Sequence, residues 1–501
     1  MMITLDTIKL PTILLKPAMP LPTNRRDFFY QSLLLSAGLA CANKPLQAIE
    51  PAALTSVKLA NDEISHAVLG CRIRGKVHAR EFAKIPGVRI AYLCDPDSEL
   101  VSSLATEIEK EFGYRPKTCS DMRQIFTEDS IHTVSVATPN HWHALATVWA
   151  MQAGKDVYVE KPVCHTVEEG SRMVQTARKH NRICQAGTQN RSIGAHAEIV
   201  KYIAAGELGT IDLARTIIYG PRGSIGKKGE YSPPPQVDFD LWLGPANREK
   251  LDRPQLHYDW HWSWDTGNGE LGNNNIHYMD LVRWMLGLKG LGDSVLSVGG
   301  RVGYIDAGET PNTQLVFHRF GSQTIIQEVR GLKSMPYHPK LQGGWIIEGS
   351  KGIIAGTSLF DPEGNLLKTF SGNSQNHFAN FIQAVRGRDR SLLTADIEEA
   401  HLSSSLCHIG NISYRLGSTI SPTDLVERIK QQNFHEDCTR TTESMLAHLD
   451  ENSVDFELTP LTLGKHLVLE PNSERFIDPA ANSLLSRRYR EPFVLPIEEN
   501  L

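Results

Sequence analysis

From Ile64 the chain repeats one unit, a short apolar run followed by a segment of helical periodicity, and that repetition leaves few folds open. Ile64-Ser65-His66-Ala67-Val68-Leu69 reads as a strand. It runs into Gly70-Cys71-Arg72-Ile73-Arg74-Gly75 and then a helix from Val77 to Lys84. A second strand, Val88 to Cys94, ends at Asp95, and helical spacing fills 98–112. Strands follow at Thr133 to Ala137, Asp156 to Val159 and Arg182 to Ala186, separated by helices over about 142–153 and 167–180. Strands alternating with helices in this way pair in parallel and are joined by right-handed crossovers. The fold class is α/β: a doubly wound Rossmann sheet over 64–190, which takes its ligand at the carboxyl ends of the strands.

After residue 190 the period changes. An amphipathic helix at about 195–206 gives way to alternating segments, Ile211 to Tyr219, Val295 to Val302, Thr313 to Phe320 and Ser322 to Arg330. These predict a second α/β domain over 191–420, with an open, mainly antiparallel sheet covered on one face. Tyr231-Ser232-Pro233-Pro234-Pro235 and the Trp-rich 242–264 read as a binding excursion. Residues 421–501 read as a C-terminal extension that wraps the surface or meets another subunit. Residues 43–63 read as a linker.

Residues 1–42 carry a targeting pattern. Asn24-Arg25-Arg26-Asp27-Phe28-Phe29 precedes the apolar run Ser32 to Ala40, and Ala40-Cys41-Ala42 fits a small-x-small cleavage site. The paired arginines resemble a twin-arginine export signal, which implies a periplasmic protein, or a cytoplasmic one if the signal is not used. That route carries folded proteins, which suits an enzyme that captures its cofactor before export. A formal net charge of -5 points away from nucleic acid, and no further window is apolar enough to span a membrane. The eight cysteines are scattered with no CxxC pair, so neither a disulfide framework nor a metal site is expected.

The turn after the first strand is an imperfect dinucleotide fingerprint. Gly70 and Gly75 hold the first and last glycine positions, with Ile73 between them, but Arg72 stands where the middle glycine belongs. Asp95, 20 positions beyond Gly75, closes the next strand. A carboxylate there accepts from ribose hydroxyls and repels a 2′-phosphate, so NAD is favoured over NADP. Arg72 or Arg74 could instead pair with that phosphate.

Three further motifs stand out. Thr138-Pro139-Asn140-His141-Trp142-His143 follows a strand, Glu160-Lys161-Pro162 follows the next, and Gly272-Asn273-Asn274-Asn275-Ile276-His277-Tyr278-Met279-Asp280 lies far downstream. Read alone, Asn140 is also a helix cap, Lys161 a solvated lysine and His277 an ordinary helix histidine. Together, from about His66 to Gly417, they resemble the Gfo/Idh/MocA family of nicotinamide-dependent sugar oxidoreductases. The resemblance implies cofactor contacts for Thr138, Asn140, His143 and Glu160, and places Lys161 beside the nicotinamide and the reacting carbon. A desolvated lysine near a cationic nicotinamide has its pKa lowered, which suits proton relay. His277 is the expected acid/base, one helical turn from Asn273. Asn273 stands where the family most often has an acid, so it can orient a hydroxyl but not take its proton. Arg191, after Gly187-Thr188-Gln189-Asn190, and Trp264 in the run Trp260-His261-Trp262-Ser263-Trp264 are expected substrate contacts; the indoles suit a carbohydrate or an interdomain contact.

The implied reaction is hydride transfer between NAD and a secondary alcohol of a sugar, cyclitol or glycoside, by a homo-oligomer (dimer or tetramer). The alternatives are an NAD-dependent glycosidase that oxidises its substrate transiently, and a non-catalytic nucleotide-binding regulator.

Overall fold

The computed structural model describes residues 63–337, 343–432 and 434–497; the expected targeting segment and most of the expected linker lie outside them. The strand β1 (Ile64–Leu69) is apolar along nearly its whole length and buried on both faces, as a central parallel strand requires. Its one polar core residue, His66, is satisfied across the sheet by Thr133 Oγ1 at 2.8 Å and Ser135 Oγ at 3.0 Å. With β2 (Val88–Cys94), β3 (Lys117–Cys119), β4 (Thr133–Val136), β5 (Asp156–Val159) and β6 (Cys184–Ala186) it forms a parallel sheet ordered β3-β2-β1-β4-β5-β6. The order reverses between β1 and β4, which opens a crevice above their carboxyl ends. Helices α1 (Ile73–Ala83), α2 (Ser98–Phe112), α3 (Asn140–Gln152) and α4 (Val167–Lys179) cover the two faces. The first begins four residues earlier than its periodicity predicts, directly on the glycine turn.

The second sheet is mixed. From one edge its order is β14 (Leu366–Thr369), β13 (Ser358–Phe360), β12 (Gly352–Ala355), β11 (Gly343–Gly349), β7 (Ile211–Tyr219), β10 (Gln323–Arg330), β9 (Thr313–Phe320), β8 (Ser294–Gly300), β16 (Leu461–Leu463) and β15 (Ser418–Ile420), with β17 (Leu467–Val468) also on β8. Only β7 and β10 pair in parallel. Both faces are covered, which corrects the expectation of one. Along β9, Val316 packs with α5 (Gly194–Ala204), α6 (Ile276–Met285) and α8 (Ile397–Arg415), while α7 (His377–Gly387) packs on α1 of the first domain. Its neighbours Leu315 and Phe317 point the other way, into a core built with Leu425, Ile429, Met445 and Leu449 of helices α9 (Pro422–Lys430) and α10 (Asp437–Glu451). Residues 421–468 are therefore part of the second domain's core and sheet. The chain then returns to the first domain, where Phe493 and Leu495 join the core under α3. No helix among the described residues is long and apolar enough to cross a membrane.

Candidate active site

A cavity of 320 Å³ occupies the crevice. Its dinucleotide end is built by backbone geometry. Gly70 has φ +86°, and a Cβ there would meet the Ala137 carbonyl oxygen at 2.6 Å; a Cβ on Gly75 would fall 1.7 Å from the Gly70 carbonyl oxygen. The two glycines let helix and strand close on each other. Arg72 is the N-cap of α1 but supplies no side-chain cap, so the first-turn N–H groups face the cavity, as phosphate binding needs. Ile73 lines the same wall and is 59% exposed. Asp95 accepts from the Cys71 N–H at 2.7 Å and the Asp97 N–H at 2.9 Å. Burial raises its pKa to about 6 against those two bonds. Each oxygen keeps a lone pair for a ribose hydroxyl. Thr138 lines the cavity, and its Oγ1 is buried with no partner among the described residues. These features fit a bound dinucleotide. Arg74 is not free for a 2′-phosphate: its Nε and Nη2 donate to Glu160 Oε1 at 2.9 and 2.6 Å.

Glu160 is the hub of the next layer. Its Oε1 also lies 3.0 Å from His78 Nε2 and accepts from Gln189 Nε2 at 3.3 Å. Burial would raise its pKa, but His78 and Arg74 outweigh that and hold it well below the usual carboxylate range. Oε2, which accepts the Lys161 N–H at 3.4 Å, is the oxygen left for a cofactor contact. The Lys161–Pro162 peptide is cis. His143 bridges two loops, with Nδ1 2.6 Å from the Pro162 carbonyl oxygen and Nε2 2.8 Å from that of Thr138. Asn140 Nδ2 donates to Asn268 Oδ1 at 2.9 Å, tying the first domain to the second.

Lys161 Nζ donates to the Asn273 carbonyl at 2.6 Å. Asn273 does not sit on an α-helix with His277, as its spacing predicts: Leu271–Asn275 form a π-helical turn, with the Ile276 N–H bonded to the Leu271 carbonyl, and α6 starts only at Ile276. Such turns recur at functional sites. His277 has no hydrogen-bond partner among the described residues, and burial with the Lys161 charge lowers its pKa to about 3, so it is a neutral imidazole. Glu270, which the motif spacing did not single out, accepts from Asn273 Nδ2 at 3.1 Å and Asn274 Nδ2 at 2.6 Å and pairs with Arg222 at 3.1 Å.

Two expected substrate residues fall elsewhere. Arg191 is buried in a two-pronged pair with Asp280 and does not reach the cavity. Trp264 lies on a separate depression, its ring 6.4 Å from that of Tyr414 and under Arg415. It is Trp260, with Trp242, His257 and Tyr258, that lines the cavity. That excursion is pinned to the first domain by Asp97, which bridges to Val237 and lies 3.0 Å from His257 Nε2. The C-terminal tail latches it from outside: Arg490 donates to the carbonyls of Gly244 and Asp240 at 2.9 and 2.7 Å and pairs with the Asp240 carboxylate. Arg490→Ala is expected to speed NADH release by about three- to tenfold, the worth of one such contact, in stopped-flow displacement. An unchanged off-rate would mean that the tail does not hold the excursion.

Residues 64–188 match the model of the oxidoreductase family's NAD-binding Rossmann fold, and 225–438 match that of its C-terminal alpha/beta domain. The chain belongs to the Gfo/Idh/MocA oxidoreductase family. A levoglucosan dehydrogenase of Pseudarthrobacter phenanthrenivorans is 28% identical over 234 residues, 46% of this chain and 53% of that protein. A glycosyl hydrolase family 109 protein of Shewanella baltica is 30% identical over 177 residues, 32% of this chain and 38% of that one. The chain thus spans about half, or less, of the length of these curated relatives. Among solved structures, the WlbA dehydrogenase of Bordetella pertussis, in complex with NADH and UDP-GlcNAcA, superposes with a TM-score of 0.52 at 19% identity, over 70% of this chain and 96% of that one. This likeness is one of fold.

Proposed function

We propose that this protein oxidises a secondary alcohol of a sugar, cyclitol or glycoside, and runs the reverse reduction, with NAD as the hydride carrier. The observation that carries the reading is Lys161, half-buried at the cavity wall with its Nζ aimed at the π turn. Bound NAD supplies the hydride acceptor. The proton of the hydroxyl goes to Lys161 Nζ. Burial lowers that lysine's pKa, with Arg74 adding to the effect and Glu160 and Glu270 opposing it. His277 enters neutral and shares the same hydroxyl as a hydrogen-bond partner rather than as an imidazolium acid. Trp260 offers an apolar face to the sugar ring. The levoglucosan dehydrogenase relative supports a carbohydrate substrate, and the twin-arginine-like segment would place the reaction in the periplasm.

The test is NADH formation from NAD with levoglucosan, myo-inositol and methyl glycosides. Oxidation needs Lys161 unprotonated, so its rate should climb with pH along a limb centred below the ordinary lysine value, while reduction should fall along the same limb. No NADH from any polyol, or a flat profile, would remove the proposal. The family 109 relatives favour one second reading, glycoside cleavage by transient oxidation. Release of nitrophenol from a nitrophenyl glycoside without added NAD would select it.

A further inference from the structure

We infer that Glu270 is a positioning residue that locks the side-chain amides of Asn273 and Asn274, so that the site reads two neighbouring substrate hydroxyls as hydrogen-bond donors. The substrate class is then a vicinal diol. This rests on the proposed function, because it concerns the same cavity.

An asparagine amide can present either its oxygen or its NH2 group to a ligand, and its surroundings decide which. Asn273 and Asn274 stand three and four residues after Glu270, and across the π turn both side chains reach back to it. Glu270 is 2% exposed and, when ionised, only accepts. Its Oε1 takes the Asn273 NH2 and its Oε2 takes the Asn274 NH2. Each NH2 group thereby spends one N–H on the carboxylate, which holds it on that side and turns each Oδ1 away from it. Both asparagines line the cavity, and neither Oδ1 has a protein partner among the described residues. From behind, Arg222 at 3.1 Å and His261 at 3.6 Å fix the carboxylate. Burial would raise its pKa, but the neighbouring His261, the Arg222 guanidinium and the Asn274 amide bring it to about 2, so the clamp is ionised throughout the working range. Two adjacent acceptor oxygens match two adjacent hydroxyls. The same Asn273 gives its backbone carbonyl to Lys161, so the clamp also sets the distance between diol and base.

The experiment uses Glu270→Gln in the full chain, with methyl glucopyranoside and its three ring-monodeoxy analogues as probes. kcat and KM are measured with NAD, and binding to the enzyme–NADH complex by calorimetry. For the wild type, two analogues lacking adjacent hydroxyls should each bind about tenfold more weakly than the parent, the worth of one hydrogen bond. Glutamine keeps one acceptor and adds a donor, so one asparagine must turn its NH2 into the cavity. The parent should then lose about tenfold in KM, and one deoxy analogue should cease to be worse than it. NADH affinity should not change. The alkaline limb of oxidation should move to lower pH, because one of the two carboxylate charges that raise the Lys161 pKa is gone. If Glu270→Gln does not fold, Asn274→Ala should erase discrimination at one hydroxyl and keep it at the other. Wild-type turnover with deoxy ratios that neither variant alters would overturn the clamp alone. A wild type that binds NADH but neither binds nor oxidises any probe would overturn the proposed function, and the diol subsite with it.

Discussion

Lys161→Ala should bind NADH as the wild type does and lose turnover by roughly 10²- to 10⁴-fold, the usual contribution of a positioned proton-transfer group. The two halves of the result are separable because the lysine and the cofactor cradle are held by different contacts. Glu160 keeps Arg74, His78 and Gln189 in the variant, and the glycine turn keeps its backbone fit. What disappears is the one amine facing the Asn273 carbonyl. His277 cannot replace it: its pKa lies at about 3 in the wild type, and although removing the Lys161 charge lets it rise, burial still favours the neutral form. The measurement is kcat/KM in both directions beside a fluorescence titration with NADH. Turnover within tenfold of the wild type would take the proton-transfer role away from Lys161. Loss of NADH affinity alongside activity would make it a cofactor-binding residue.

The first domain was legible because buried parallel strands are written as continuous apolar runs, and the glycine turn adds a backbone requirement visible in residue type alone. The short β3 was missed: at this edge Lys117 and Thr118 are exposed and Cys119 half-buried, and they carry no such run. In the second domain the covering of both faces was present in Leu315-Val316-Phe317, apolar at odd and even positions, but the helices that cover the far face lie more than 100 residues later. The site residues divide the same way. Lys161, on the cavity wall, and His277, which feels its charge, both lie in local motifs. Glu270 does not, because its meaning depends on Arg222, 48 residues away, and on a π turn that Asn273-Asn274-Asn275, all weak helix formers, permit without announcing. Trp260 and Trp264 are indistinguishable in sequence; the fold sends them to different cavities.

Arg191 shows the cost of that ambiguity, and it yields the largest expected effect on stability. Its Nε and Nη2 donate to the two Asp280 oxygens, each at 2.8 Å, and Asp280 is fully buried with one further donor, Ser403 Oγ, at 2.8 Å. Arg283 lies alongside and is already committed to Glu399 and Ser403. Arg191→Met keeps most of the side-chain volume but leaves the Asp280 charge without its cation. Breaking one side of a buried pair costs about 3–5 kcal/mol. For domains of this size that is a fall in melting temperature of roughly 10 °C. Because Arg191 does not line the cavity, the folded variant should keep its NADH affinity and its KM. Adding Asp280→Asn should recover part of the loss, since the remaining polar group is then neutral and still bonded to Ser403. A substrate contact would give the opposite pattern, a raised KM at an unchanged melting temperature, with no recovery from the second substitution. Calorimetric melting of the two variants beside their steady-state kinetics decides between a brace under α6 and a residue that touches the sugar.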